Sequence, residues 1–225
     1  MNAVEIKRLS HRYAFHWALA DLSFCATKGE VIAVLGPNGC GKSTLLKILA
    51  TRLEVTRGEG TLFGLALKKE KMKIRKTMEW LGPTLGLYDA LTAEENLKFA
   101  FTLRGEKPDR QKIAASLEKV GLQKWKEKRV DTFSSGMRKR VALARILLQD
   151  PQMILLDEPH TYLDREGKML LNECVTLWQK RGVTLFLASH DHSEVLPLCN
   201  KALVLNHGKL SYFGDPEKIP SDVIL

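Results

Sequence analysis

The sequence predicts an α/β fold: a mostly parallel sheet with helices on both faces, an antiparallel N-terminal β part, and an inserted α-helical subdomain. Three observations carry this expectation. A phosphate-loop pattern at residues 36–44 stands between an apolar run and a helical stretch. Strand-like and helical segments alternate on either side of it. Residues 85–150 interrupt that alternation with successive helices.

Taken in order, residues 4–9 and 19–24 read as strands. The stretch between them, 11–19, is dense in rings, which either stack on a base or fill core and turn. Val31-Ile32-Ala33-Val34-Leu35 is an apolar strand entering Gly36-Pro37-Asn38-Gly39-Cys40-Gly41-Lys42-Ser43-Thr44, which satisfies G-x-x-x-x-G-K-[ST]. Residues 43–50 leave it as a helix. The glycines let successive N–H groups curl toward phosphate oxygens, and the helix N-terminus adds positive charge there. Lys42 is then placed to reach the β- and γ-phosphates and Ser43 to ligate Mg2+. Cys40 reads either as a small filler or as a thiol whose pKa the helix end lowers.

Residues 58–64 read as a turn and strand, 69–77 as a basic helix, and 78–81 as a strand closed by Gly82-Pro83. In the insertion, Thr92-Ala93-Glu94-Glu95 is a capping box, Pro108-Asp109 opens a second helix, and Ser134 or Ser135 caps a third. The core, residues 1–84 and 151–225, resumes with an apolar strand at 153–157. A helix at 164–180, a strand at 183–188, a short helix from Asp191 and a hairpin over 201–213 follow.

The chain has 225 residues, a net charge of +9 and 44% hydrophobic residues, which suits one globular domain with a sizeable core. No apolar run reaches the roughly 18 residues that a membrane helix requires. The N-terminus lacks the apolar stretch of a signal peptide. The 4 cysteines are scattered and form no C-x-x-C pair, which argues against a disulfide framework or zinc site and for a reducing cytosol. The basic excess reads first as a solvated surface and next as attraction to an anionic cytoplasmic leaflet. Nucleic acid is not the expected partner, because no aromatic-interleaved basic patch or reader motif is present.

Further chemistry follows the strand at 153–157. It ends in Asp157, placed to hold Mg2+, and strand alternation turns Glu158 the other way, toward a water. His190 follows the next apolar strand and shares the same edge of a parallel sheet. Ser134-Ser135-Gly136-Met137 opens a helix and forms a second anion-receptive end. One nucleotide meets both helix ends when two copies face head to tail.

Together these residues resemble the ATP-binding subunit of an ABC transporter, a P-loop NTPase, over nearly the whole chain. Gly36 to Thr44 matches Walker A, and residues 153–157 with Glu158 match Walker B and the catalytic glutamate. Ser134 to Met137 stands where the family commonly writes L-S-G-G-Q, Leu163-Asp164 matches the D-loop, and His190 the switch histidine. Tyr13, followed by Ala18-Leu19, matches the adenine-stacking aromatic. The sequence departs from the family at Ser135 and Met137, and Thr84 stands at the position of the Q-loop glutamine. Strings such as Trp80-Leu81-Gly82 and residues 91–97 are similar to the cytochrome c maturation (haem exporter) type.

The resemblance implies ATP and Mg2+ as ligands and hydrolysis to ADP and phosphate. It implies a homodimer, or a pair with a related ATPase subunit, enclosing ATP between the phosphate loop of one copy and the Ser134 helix end of the other. Glu158 would orient the water while Lys42 and His190 stabilise developing charge, with Asp164 near the nucleotide. An integral membrane permease would read the opening and closing from the cytoplasmic face of the membrane. Two rivals stay open: a soluble ABC ATPase acting on nucleic acid or ribosomes, and a regulatory nucleotide-binding subunit of low turnover.

Overall fold

The structure is a computed structural model and describes residues 2–221 and 223. In chain order the elements are β1 (Asn2–Tyr13), β2 (His16–Thr27), β3 (Val31–Leu35), α1 (Lys42–Leu49), β4 (Arg57–Leu62), β5 (Leu65–Ala66), α2 (Lys71–Lys76) and β6 (Met78–Leu81). They continue with α3 (Ala93–Leu103), α4 (Arg110–Lys119), α5 (Ser135–Leu147), β7 (Met153–Asp157), α6 (Arg165–Lys180), β8 (Thr184–Ala188), α7 (His192–Val195), β9 (Lys201–Asn206) and β10 (Lys209–Gly214). Among the described residues no helix is long and apolar enough to cross a membrane.

The chain divides into two compact units. One holds the residues up to Gly82, Gln152–Pro159 and those from Val175 onward; the other holds Pro83–Pro151 and His160–Cys174. The second unit therefore takes in residues 160–174 as well as the helical stretch at 85–150, and α6 crosses the division between Cys174 and Val175.

The first unit contains both sheets. A 4-stranded antiparallel sheet runs β2-β1-β4-β5, and a 6-stranded sheet runs β10-β9-β3-β8-β7-β6, parallel except for β10. Every residue of β3, β7 and β8 is buried. That is why these strands read as continuous apolar runs rather than alternating ones. Leu45, Leu46, Ile48 and Leu49 of α1 join Ile6, Leu22, Ile32, Phe186 and Leu205 in one core shared by both sheets.

The first two strands are longer than the sequence suggests. The ring-dense stretch is not a loop: Arg12 pairs with Trp17 and Tyr13 with His16 across a two-residue turn at Ala14-Phe15. Positive φ at Arg8, Ala14 and Asp21 supplies the bulges and the turn. These irregularities break the period-2 pattern and hide the strand ends from it.

The second unit is built from capped helices. Thr92 accepts from the Glu95 N–H at 3.1 Å while its own N–H donates to Glu95 at 2.8 Å, closing the expected capping box. Asp109 caps α4 and Ser134 caps α5.

Candidate active site

The phosphate loop hangs between β3 and α1, and two of its glycines, Gly36 and Gly41, leave no space for a side chain. A Cβ on Gly36 would lie 2.1 Å from the Leu205 carbonyl oxygen; one on Gly41 would lie 2.5 Å from Leu19 Cδ2 and 2.7 Å from the Ala18 carbonyl oxygen. Both sit at positive φ, 133° and 110°. The turn at Gly208 forms a floor, donating from its N–H to the Cys40 carbonyl at 3.1 Å. Pro37, Asn38 and Gly39 are exposed, whereas Cys40, Gly41 and Lys42 are buried. Lys42 folds across the loop and donates to the carbonyls of Gly36 at 2.6 Å and Pro37 at 3.1 Å. The rim therefore carries open backbone over a buried cation, with Ser43 and Thr44 on the first turn of α1.

Cys40 does not become the activated thiol that its helix-end position allows. It is 3% exposed, and burial pushes its pKa up, only partly countered by Lys42 and nearby N–H groups. It fills space beside Gly36.

Asp157 ends β7 and is 3% exposed. Its Oδ1 accepts from Ser43 Oγ at 3.0 Å, and its Oδ2 is buried without a hydrogen-bond partner among the described residues. Burial raises its pKa, the Ser43 hydroxyl opposes the rise, and Glu158 adds to it. An unsatisfied buried carboxylate oxygen next to a serine hydroxyl is the donor set that a hard divalent cation completes, so these residues fit Mg2+.

Glu158 departs from the expected geometry. It does not continue the alternation of β7 but turns into left-handed backbone at φ 50°. Its carboxylate accepts from the His190 N–H at 3.0 Å and lies 2.9 Å from His190 Nδ1 and 3.4 Å from Ser189 Oγ. The two residues thus form a couple, with the carboxylate fixing the imidazole so that Nδ1 carries the proton. His192, two residues on and half-buried, is a neighbour that the sequence reading did not single out. Burial lowers its pKa, and the charges of Lys42 and His190 add to that. Its only sequence signal is its spacing from His190.

Tyr13 is 45% exposed at the end of β1, in the hairpin whose Ala18 and Leu19 abut Gly41. The first unit thus gathers Tyr13, the phosphate loop, Asp157, Glu158 and His190.

The remaining expected residues lie in the second unit. Ser134 caps α5, accepting from the Met137 N–H at 3.2 Å, so its hydroxyl hydrogen is left to donate. Ser134 and Ser135 are exposed. Gly136 leaves only 3.1 Å between a would-be Cβ and the Tyr162 carbonyl oxygen. Asp164 accepts from the Gly167 N–H and from Arg140, each at 2.8 Å, and these bonds hold its carboxyl below the usual range. Lys139 donates to the Thr161 carbonyl at 2.8 Å, so α5 grips the segment leading to Asp164 at two points. Thr84 is exposed.

A phosphate loop, a carboxylate poised for a metal and a glutamate–histidine couple on one sheet edge define a nucleotide-hydrolysing cassette. The family profile described as ABC transporter matches residues 19–161. The chain is 36% identical over 207 residues to the ABC transporter ATP-binding protein NatA of Bacillus subtilis (strain 168), covering 90% of this chain and 83% of that one. It is 32% identical over 226 residues to the spermidine/putrescine import ATP-binding protein PotA of Mycoplasma capricolum, covering 97% of this chain but only 63% of PotA. Among solved structures, the dimeric ATP-binding cassette MJ0796, bound to ADP and Pi, superposes with a TM-score of 0.86 at 22% identity, over 96% of this chain and 100% of that one, a likeness of fold. The chain belongs to the ABC transporter family and is an ATP-binding subunit with ATPase activity. The haem-exporter likeness gains no support from these relatives.

Proposed function

We propose that this subunit powers transport through a separate integral membrane permease by closing head to tail on a second copy, or on a related ATPase subunit, when ATP is bound. It would act at the cytoplasmic face of the membrane. The observation that carries the reading is the hydrogen-bonded couple of half-buried Ser43 and buried Asp157 beside the Glu158–His190 pair, all within one unit. The exposed, capped helix end at Ser134 supports the second half of the sandwich. MJ0796 is described as dimeric, and PotA is named for spermidine/putrescine import. Cargo recognition belongs to the partner chain.

Each residue then has a task. The N–H groups of the loop cradle phosphate oxygens, and Lys42 exchanges its two carbonyl bonds for the β- and γ-phosphates. Ser43 and Asp157 would hold Mg2+, which when bound supplies neutralisation of phosphate charge. Glu158, steadied by His190, aligns the attacking water, and His190 answers the charge that develops. Tyr13 stacks on the base. From the opposing copy, Ser134 donates its remaining hydroxyl hydrogen to a phosphate oxygen.

The test is Glu158→Gln in the presence of Mg-ATP. Hydrolysis is expected to slow at least ~100-fold, and the species in light scattering to double in mass. A variant that binds ATP and remains strictly monomeric would overturn the head-to-tail reading; unchanged turnover would remove Glu158 from its role.

A further inference from the structure

We infer that His11 is a positioning residue for the ring of Tyr13, and that its anchor on the Glu54 carbonyl ties the base end of the site to the segment leaving the phosphate-loop helix. The inference rests on the reading of Tyr13 as the base-stacking ring. His11 is 7% exposed, and its Nδ1 lies 2.8 Å from the Glu54 carbonyl oxygen. A carbonyl only accepts, so Nδ1 carries the proton and the ring plane is fixed. Nε2 is buried with no hydrogen-bond partner among the described residues. A buried polar atom left without a partner is costly, and an apolar ring would fill the same space without that cost. The imidazole is explained by what its two ends do: one end is tethered, and the ring meets Tyr13.

His11 and Tyr13 are two apart on β1 and share a face. Their rings meet edge to face, centroids 4.6 Å apart at 83°. A buried, tethered ring thus supports a half-exposed one. The tether comes from the segment after α1, which grips the hairpin at further points. The Thr56 N–H donates to the Ser10 carbonyl at 3.0 Å, the Arg12 N–H donates to Thr56 Oγ1 at 3.2 Å, and the Arg57 guanidinium lies over the Trp17 ring at 5.2 Å. On the other strand, Ala18 and Leu19 press on Gly41. The two strands of the hairpin are therefore fastened to the phosphate loop and to the segment that leaves its helix, and His11 passes that fastening to Tyr13.

The experiment measures equilibrium binding of Mg-ATP and of Mg-tripolyphosphate, which has no base, to the full chain. Tyr13→Ala is expected to weaken ATP and spare tripolyphosphate. His11→Ala should weaken ATP about 3- to 10-fold, again sparing tripolyphosphate, and the double variant should be no weaker than Tyr13→Ala alone. His11→Gln keeps an N–H for the Glu54 carbonyl but no ring; it guards against misfolding and should lose ATP affinity as alanine does. Equal losses for both ligands, additivity with Tyr13→Ala, or an unaffected His11→Ala would overturn the inference alone. A Tyr13→Ala variant that binds ATP like the parent would overturn the stacking reading, and the inference with it.

Discussion

Asp157 is held in the folded chain at a cost, and the cost has a measurable sign. Burial raises its pKa, so the native state binds its proton more tightly than the unfolded chain does. Its contribution to stability is therefore lost as pH rises from the ordinary carboxylate range through the raised value, the reverse of a salt-bridged aspartate. Asp157→Asn keeps an acceptor for Ser43 and removes the charge. We expect it to stabilise the nucleotide-free protein by roughly 1–2 kcal/mol at neutral pH, to flatten that pH dependence, and to abolish hydrolysis. A lower melting temperature than the parent at pH 7 would count against this account of the orphaned oxygen. At this scale the sequence is legible where a pattern is local: it names Lys42, Ser43 and Asp157 as candidates, and the structure joins Ser43 to Asp157. Glu158 could be named but not oriented, because its left-handed backbone is set by its bonds to Ala188 and His190 rather than by β7. His11 was invisible as a support because its partner, the Glu54 carbonyl, lies 43 residues away in the chain.

At the scale of elements, the phosphate loop holds its curl through its neighbours as much as through its own glycines. Gly41 faces β2 so closely that any Cβ meets Leu19 and the Ala18 carbonyl, in a backbone region that L side chains rarely adopt. Gly41→Ala should cost roughly 2–3 kcal/mol of stability and lose ATP binding. Chemical denaturation with a mant-nucleotide titration would read both, and a stable variant with parental affinity would contradict the packing argument. The helices of the second unit were legible because capping residues are local signals; Thr92 and Asp109 cap where expected, and of the two serines offered for the third helix Ser134 is the cap. The β1–β2 hairpin was legible only in its middle. Its ends carry bulges, a tight turn and rings whose partners sit across the strand, and none of these follows a simple alternation.

For the whole molecule, two features escape any local reading. Residues 160–174 join the helical unit through bonds such as Lys139 to Thr161 and Arg140 to Asp164, which no boundary in the sequence announces. The second feature is the net charge of +9, which two associating copies would both carry. Like-charged partners repel, and salt screens that repulsion. We therefore expect the ATP-bound Glu158→Gln dimer to tighten as ionic strength rises from about 20 to 200 mM, where the Debye length shrinks to about 10 Å or less. Weakening over that range, followed by sedimentation, would mean that specific ion pairs across the interface dominate. Finally, the floor of the phosphate loop is supplied by Leu205 and Gly208, downstream of every residue proposed to act on the nucleotide. A nascent chain that has emerged only as far as His190 would own all the reactive groups and still lack the seat that shapes them. The growing polypeptide is thus expected to close on nucleotide only after Leu205 and Gly208 have been made.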